Sequence, residues 1–191
     1  MGKKELDETS CNKSQKRMRK FSIFSKLFLL VALFFLTTPG RRLRELVTPH
    51  FTKTPKKGDK IGKYTVTSPW GPRNLGIAGA STFHQGVDLN TPVGTPLYAI
   101  GKSGAFIDVQ CWTDQKGGGL VASYKSLGIS FDYLHLSKCY PGKQPAGSVI
   151  ALSGASGVGS GPHFHFQQRN VLGKKVPPQA KYIEWSLTGR E

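Results

Sequence analysis

The sequence predicts a mainly β protein: an antiparallel β-sheet domain behind an N-terminal transmembrane helix. Three observations predict it. From about Ile61 onward, short apolar runs alternate with Gly, Pro, Asn and Ser, the punctuation of strands and turns. The 191 residues include 23 Gly and 12 Pro with only 38% hydrophobic residues, a composition that a helical bundle tolerates poorly. No long helical periodicity follows residue 50, whereas "LFLLVALFFL" (27–36) is apolar on every side, unlike the one-sided stripe of a globular helix.

Taken in order, residues 1–20 are polar and charged, ending in "KSQKRMRK", and read as a disordered basic tail on the cytoplasmic side. Residues 21–38 follow as the membrane segment; counted from Phe21, with Lys26 reaching the headgroups, the run is long enough to span a bilayer. No A-x-A cleavage site follows it, so an uncleaved signal anchor is expected rather than a cleaved signal peptide. Residues 39–60, "PGRRLRELVTPHFTKTPKKGDK", read as a basic tether, with His50 a solvated linker residue. Residues 61–191 form the β-domain. "GTPLYAIGKSGAFIDVQCW" gives two strands around "GKSG", and "GLVASYKSLGISFDYLHL" gives two around "SLG"; "GSVIALSG" and "PHFHFQQ" add others.

The net charge of +16 divides into +7 over residues 1–50 and +9 over the rest. Such a chain is attracted to nucleic acid, anionic lipid or anionic wall polymer. The export segment and the lack of interleaved aromatic and basic motifs exclude nucleic acid. Cys111 and Cys139 fall in the exported part, where they either pair or remain free thiols, while Cys11 stays on the cytoplasmic side. With no C-x-x-C, a cysteine zinc site is not expected.

Four of the five histidines lie in the β-domain. His84, Gly86 and Asp88 are alternate residues in "FHQGVDL" and face one way on an extended segment; Gly86 leaves space between the two polar groups for an ion. His163 and His165 in "GPHFHF" likewise share a face, with Phe164 and Phe166 on the other. His135 lies between them in "YLHLS". Two imidazoles and a carboxylate suffice for a catalytic zinc ion with one open position. Such a site leaves two further histidines for proton transfer.

"FHQGVDLNTPVGTPLYA", "YLHLS" and "GASGVGSGPHFHF", in this order, with "SPWGPR" upstream, resemble the lysostaphin/LytM-type zinc peptidases of bacterial cell walls. The resemblance covers roughly residues 61–170 and implies the duplicated hybrid motif fold of that family. It implies that His84, Asp88 and His165 bind Zn²⁺, and that His135 and His163 are the unliganded catalytic histidines. Tyr133 and Arg73 either line the groove or serve packing and surface. Leu134 and Gln167 depart from the family pattern at positions that are not ligands, and no wall-binding module is expected after "FQQRN". The implied activity is a membrane-anchored endopeptidase cutting peptide cross-links of peptidoglycan. Its domain would stand on the periplasmic or extracellular side of the plasma (inner) membrane, anchored by a single pass. D-Ala–diaminopimelate cross-links, glycine bridges and stem-peptide bonds all suit the motifs. The alternative is a wall-binding scaffold or amidase activator of the same fold without turnover.

Overall fold

The computed structural model describes residues 54–74, 76 and 81–191. The basic tail, the membrane segment and most of the tether therefore lie outside the described residues. Among the described residues, no helix is long and apolar enough to cross a membrane.

In chain order the strands are β1 (Lys60–Ile61), β2 (Tyr64–Ser68), β3 (Gly71–Pro72), β4 (Phe83–His84), β5 (Val87–Leu89), β6 (Pro96–Tyr98) and β7 (Phe106–Asp114). They continue as β8 (Gly119–Ser126), β9 (Ile129–Leu134), β10 (Lys138–Cys139), β11 (Gly142–Pro145), β12 (Val149–Leu152), β13 (Phe164–Arg169) and β14 (Lys175–Val176). One helix, α1 (Ala180–Thr188), closes the described chain. The main antiparallel sheet runs β1-β2-β5-β13-β9-β8-β7-β11, with β14 on β13; β10-β12-β6 and β3-β4 form two smaller sheets.

The mainly β antiparallel architecture is the one expected from the turn-punctuated sequence. The "SLG" stretch makes the β8–β9 hairpin, with Leu127 and Gly128 at φ 54° and 77° between the paired Ser126 and Ile129. Two successive positive φ values match the right-handed strand twist. The two strands around "GKSG" do not pair with each other. β6 pairs β12 in the small sheet, whereas β7 pairs β8 and β11 in the large one. The chain changes sheets at Gly101, where a Cβ would meet Ile107 Cδ1 at 2.8 Å and Ala146 Cβ at 3.0 Å. Cys111 and Cys139 form a disulfide across a Cα separation of 5.9 Å, tying β7 to β10 and thus the large sheet to the small one. Bridges of this kind stabilise by ~2–4 kcal/mol.

Strand alternation decides what is core. Phe131 and Tyr133 of β9 and Phe164 and Phe166 of β13 are fully buried on one face with Val87 and Leu89. The Tyr133 and Phe164 rings meet edge to face at 5.1 Å. Tyr133 is therefore core and does not line the groove. Its hydroxyl donates to the Tyr98 carbonyl (2.8 Å) and accepts from Tyr124 (2.6 Å), which satisfies a buried polar tip. α1 buries Ile183 and Trp185 beneath this layer and ends at Gly189, whose N–H caps the Trp185 carbonyl at φ 73°. At the other end, residues in the stretch read as a tether are hydrogen bonded to β2: Gly58 N–H donates to the Val66 carbonyl, and Val66 N–H to that of Asp59, both at 2.9 Å.

The opposite face of the large sheet is the floor of a cleft. In β13, His165, Gln167 and Arg169 share one face, alternating with the core phenylalanines, and the first two line the cleft. The register sets His165 directly opposite Asp88 on β5 and Leu134 on β9.

Candidate metal centre

Asp88 is the central residue of three-residue β5, between buried Val87 and Leu89, so its carboxylate faces the cleft. His165 comes from the neighbouring strand. His84 comes from a different sheet: it ends β4, which pairs with β3 through Gly71. Its Nδ1–H donates to the Pro69 carbonyl (2.8 Å), which leaves Nε2 unprotonated toward the other two. His84, Asp88 and His165 are only 1%, 7% and 5% exposed.

The three donor atoms make a small triangle. His165 Nδ1 is 2.7 Å from Asp88 Oδ1 and 3.1 Å from His84 Nε2, and His84 Nε2 is 3.2 Å from Asp88 Oδ1. A tetrahedral ion with bonds of ~2.0–2.1 Å has donors ~3.3 Å apart. The donor chemistry and the edge lengths thus fit a Zn²⁺-sized ion with little movement. These three residues are also the group of metal-ligating type within 4.8 Å of one another among the described residues.

Gly86 does something other than leave space for an ion. A Cβ there would run into the His165 ring at Nε2 and lie 2.7 Å from the Phe166 carbonyl. The space belongs to the imidazole. His84 and Asp88 also do not share one strand, since β4 and β5 are separated by Gln85 and Gly86 and pair in different sheets.

Electrostatics favour ligand-ready groups. Burial pulls the Asp88 carboxyl up, but the charge of and hydrogen bond from His165, with those of His84, outweigh it and hold it well below the usual carboxylate range. Burial lowers His165 to about 4 against the opposing pull of Asp88. At neutral pH the site therefore presents a carboxylate and a neutral imidazole. Arg73 Nη1 donates to Asp88 Oδ2 (3.1 Å) and to Ser68 Oγ (3.0 Å), so the second carboxylate oxygen is also held. Arg73 lines the cleft, in the way one of the two sequence readings has it.

His135 and His163 stand beside the triangle, their ring centroids 4.5 Å apart. Each donates its Nδ1–H to a backbone carbonyl, His135 to Ser156 (2.7 Å) and His163 to Gly161 (2.8 Å), so each keeps Nε2 as its basic atom. His163 Nε2 lies 3.9 Å from Asp88 Oδ1, outside the donor triangle. His135 is held just past the end of β9 at φ 58°, a left-handed conformation uncommon for a residue with a side chain. Burial lowers its pKa, partly offset by the hydrogen bond to Ser156. All five residues line one cleft of about 670 Å³, walled by the glycine-rich loop from Val158 to Pro162.

Gln167, which the family pattern leaves without a role, touches a member of the triangle. Its side-chain amide lies 2.9 Å from His165 Nε2. Spacing alone points to it, because residues 165 and 167 share a strand face.

Residues 82–178 match peptidase family M23. Over 112 residues the chain is 37% identical to glycyl-glycine endopeptidase ALE-1 of Staphylococcus capitis, covering 56% of this chain and 30% of that protein. It is 38% identical over 113 residues to lysostaphin of Staphylococcus simulans, covering 56% and 22%. Against peptidoglycan DD-endopeptidase ShyB of Vibrio cholerae the identity is 37% over 119 residues, covering 60% and 26%. The chain thus spans less than a third of the length of these curated relatives. The solved structure of the antimicrobial peptidase lysostaphin from Staphylococcus simulans superposes with a TM-score of 0.53 at 26% identity, over 73% of this chain and 57% of that one. All three residues of the His-Asp-His triangle lie inside the matched region, and the chain belongs to peptidase family M23.

Proposed function

We propose that this chain is a zinc-dependent endopeptidase that hydrolyses peptide cross-links of bacterial peptidoglycan. It is held at the plasma membrane by residues 21–38, with the β-domain on the outer side. The observation that carries the activity is the convergence of His84 Nε2, Asp88 Oδ1 and His165 Nδ1 within 4.8 Å on a cleft floor, beside two histidines with unoccupied Nε2 atoms. The relatives point the same way, one being a glycyl-glycine endopeptidase and another a peptidoglycan DD-endopeptidase. The anchor rests on the basic flank and the apolar run that follows it.

His84, Asp88 and His165 would hold the zinc ion, which when bound supplies a Lewis acid for water and for the scissile carbonyl. The remaining roles belong to this chain's own groups. His163 accepts the proton of the attacking water at Nε2, and the His135–His163 pair returns it to the leaving amine. In its protonated form the pair also stabilises the developing oxyanion. The lowered pKa of His135 keeps that ring neutral at pH 7, ready to accept a proton. The reading without turnover, a wall-binding scaffold or amidase activator, would be favoured by loss of a donor. All three donors are present and converge.

The test is digestion of purified peptidoglycan by the full chain in detergent, with new amino termini counted and the muropeptides weighed by mass spectrometry. New termini that vanish with a chelator and return with Zn²⁺ are expected. A zinc-loaded protein that generates none refutes the hydrolase reading.

In the structure the Gln167 amide nitrogen donates to His165 Nε2, which leaves the ring proton on Nδ1 toward Asp88. For His165 to bind a cation through Nδ1, that proton must move to Nε2 and the Gln167 amide must turn over so that its oxygen accepts it. Gln167→Leu is therefore expected to weaken Zn²⁺ affinity ~10–100-fold, measured by competition with a chromogenic chelator. Gln167→Glu, which keeps an acceptor there, is expected to retain most of it.

A further inference from the structure

The cleft floor does not end at the metal triangle. Beyond His165 and Gln167 the same face of β13 continues to Arg169, and β14 places Lys175 directly across from Arg169. Lys175 lines the same cleft as the five site residues. Its neighbours are already matched with one another. Arg169 Nε donates to Asp132 Oδ2 (2.8 Å), and the other oxygen of Asp132 accepts from Ser123 Oγ (2.8 Å). Ser123 Oγ in turn accepts from Trp112 Nε1 at 2.9 Å. The Asp114 carboxylate accepts the backbone N–H groups of Lys116 (3.0 Å) and Gly118 (2.9 Å).

The cations of the cleft therefore differ in kind. Arg73 is paired with Asp88, and Lys116 is exposed to solvent. Lys175 is half-buried, yet no carboxylate of the described residues lies within 4.0 Å of its ammonium. Burial, reinforced by Arg169, lowers its pKa, and Asp132 and Asp114 restore only part of it. A partly desolvated ammonium without an ion-pair partner gains most from an anion that arrives with a ligand.

Resting on the endopeptidase reading above, we infer that Lys175 forms a carboxylate-binding subsite that selects peptides carrying a free carboxylate a few residues from the bond cut. Arg169 lies four residue steps beyond His165, ~13 Å along β13. A lysine side chain reaching back from the neighbouring strand brings the anion to within ~8–13 Å of the metal triangle, the reach of two to four extended substrate residues. Among the bonds that suit the motifs, a D-Ala–diaminopimelate cross-link offers such a carboxylate at the end of the side chain of the donor stem's diaminopimelate, the residue before the D-Ala, and glycine bridges carry no ionisable side chain. The subsite thus favours the former.

The test uses the full zinc-loaded chain and two synthetic cross-linked peptides that differ only in whether the diaminopimelate carboxylate is free or amidated. A second arm measures binding of both peptides to the chelator-treated protein by calorimetry. The wild type is expected to favour the free carboxylate ~10–100-fold in kcat/KM and in affinity. Lys175→Met is expected to erase that preference by raising KM for the carboxylate peptide, and Lys175→Arg to keep most of it. A wild type that cleaves both peptides equally well overturns the subsite and leaves the endopeptidase reading intact. A Lys175→Met variant that depresses both peptides by one factor also overturns it, since that is a structural effect. Protein that cleaves neither peptide but binds the free carboxylate more tightly upholds the subsite and refutes the endopeptidase reading.

Discussion

His163→Ala is expected to retain close to the wild-type zinc content while peptide hydrolysis falls ~10²–10⁴-fold, whereas His165→Ala is expected to lose both. The two residues are two apart and share a strand face, so sequence proximity does not separate them. Geometry does. His165 Nδ1 supplies two edges of the donor triangle, 2.7 Å to Asp88 and 3.1 Å to His84. Without it, only one imidazole and one carboxylate remain, 3.2 Å apart, and a buried carboxylate loses its shortest hydrogen bond. His163 Nε2 stands 3.9 Å from Asp88 Oδ1, and its Nδ1–H is anchored on the Gly161 carbonyl. Removing that ring leaves every edge of the triangle in place and takes away a basic nitrogen beside it.

The measurement is metal by atomic absorption on dialysed protein, alongside the rate of appearance of new amino termini. His135→Ala should group with His163→Ala, because His135 also lies outside the triangle with its Nδ1–H on a carbonyl. Equal metal loss in the His163 and His165 variants would contradict this division of roles.

Much of this was legible in the chain because β-structure has a period of two. Alternation in "HFHF" separates cleft from core, and the structure has Phe164 and Phe166 fully buried with His165 opposite Asp88. The same alternation in "FDYL" puts Tyr133 on the core side with Phe131, a parity that the resemblance to a groove-lining residue obscures. What local pattern does not carry is long-range pairing. "GKSG" has the composition of a hairpin turn, yet its flanking strands join different sheets. The Arg73 contact with Asp88 spans fifteen residues and two sheets, and no periodicity connects them. At nine residues α1 is too short for a helical period to stand out, and its start lacks a side-chain cap. The left-handed backbone of His135 has no signal in "YLHLS", since glycine, the usual mark of that conformation, is absent there.

Gly86 shows how one residue can be right in the sequence for a reason only packing reveals, and it yields a large expected effect. A methyl group at this position meets the His165 ring and stands 2.7 Å from the Phe166 carbonyl. The carbonyl is part of β13, paired on one side to β5 and on the other to β9, so the backbone cannot retreat. The ring must turn instead. Turning it withdraws Nδ1 from Asp88 and Nε2 from Gln167, the contacts that place His165 in the triangle. Gly86→Ala is therefore expected to weaken Zn²⁺ affinity ~100-fold or more, beyond the loss of one outer hydrogen bond. It should also lower stability by ~1–3 kcal/mol, the usual cost of an added methyl in a filled site. Chelator competition reads the first and urea unfolding of the chelator-treated protein reads the second. Wild-type zinc affinity in Gly86→Ala would mean that the imidazole is not seated against this glycine, and the close packing that fixes its orientation would have to be abandoned.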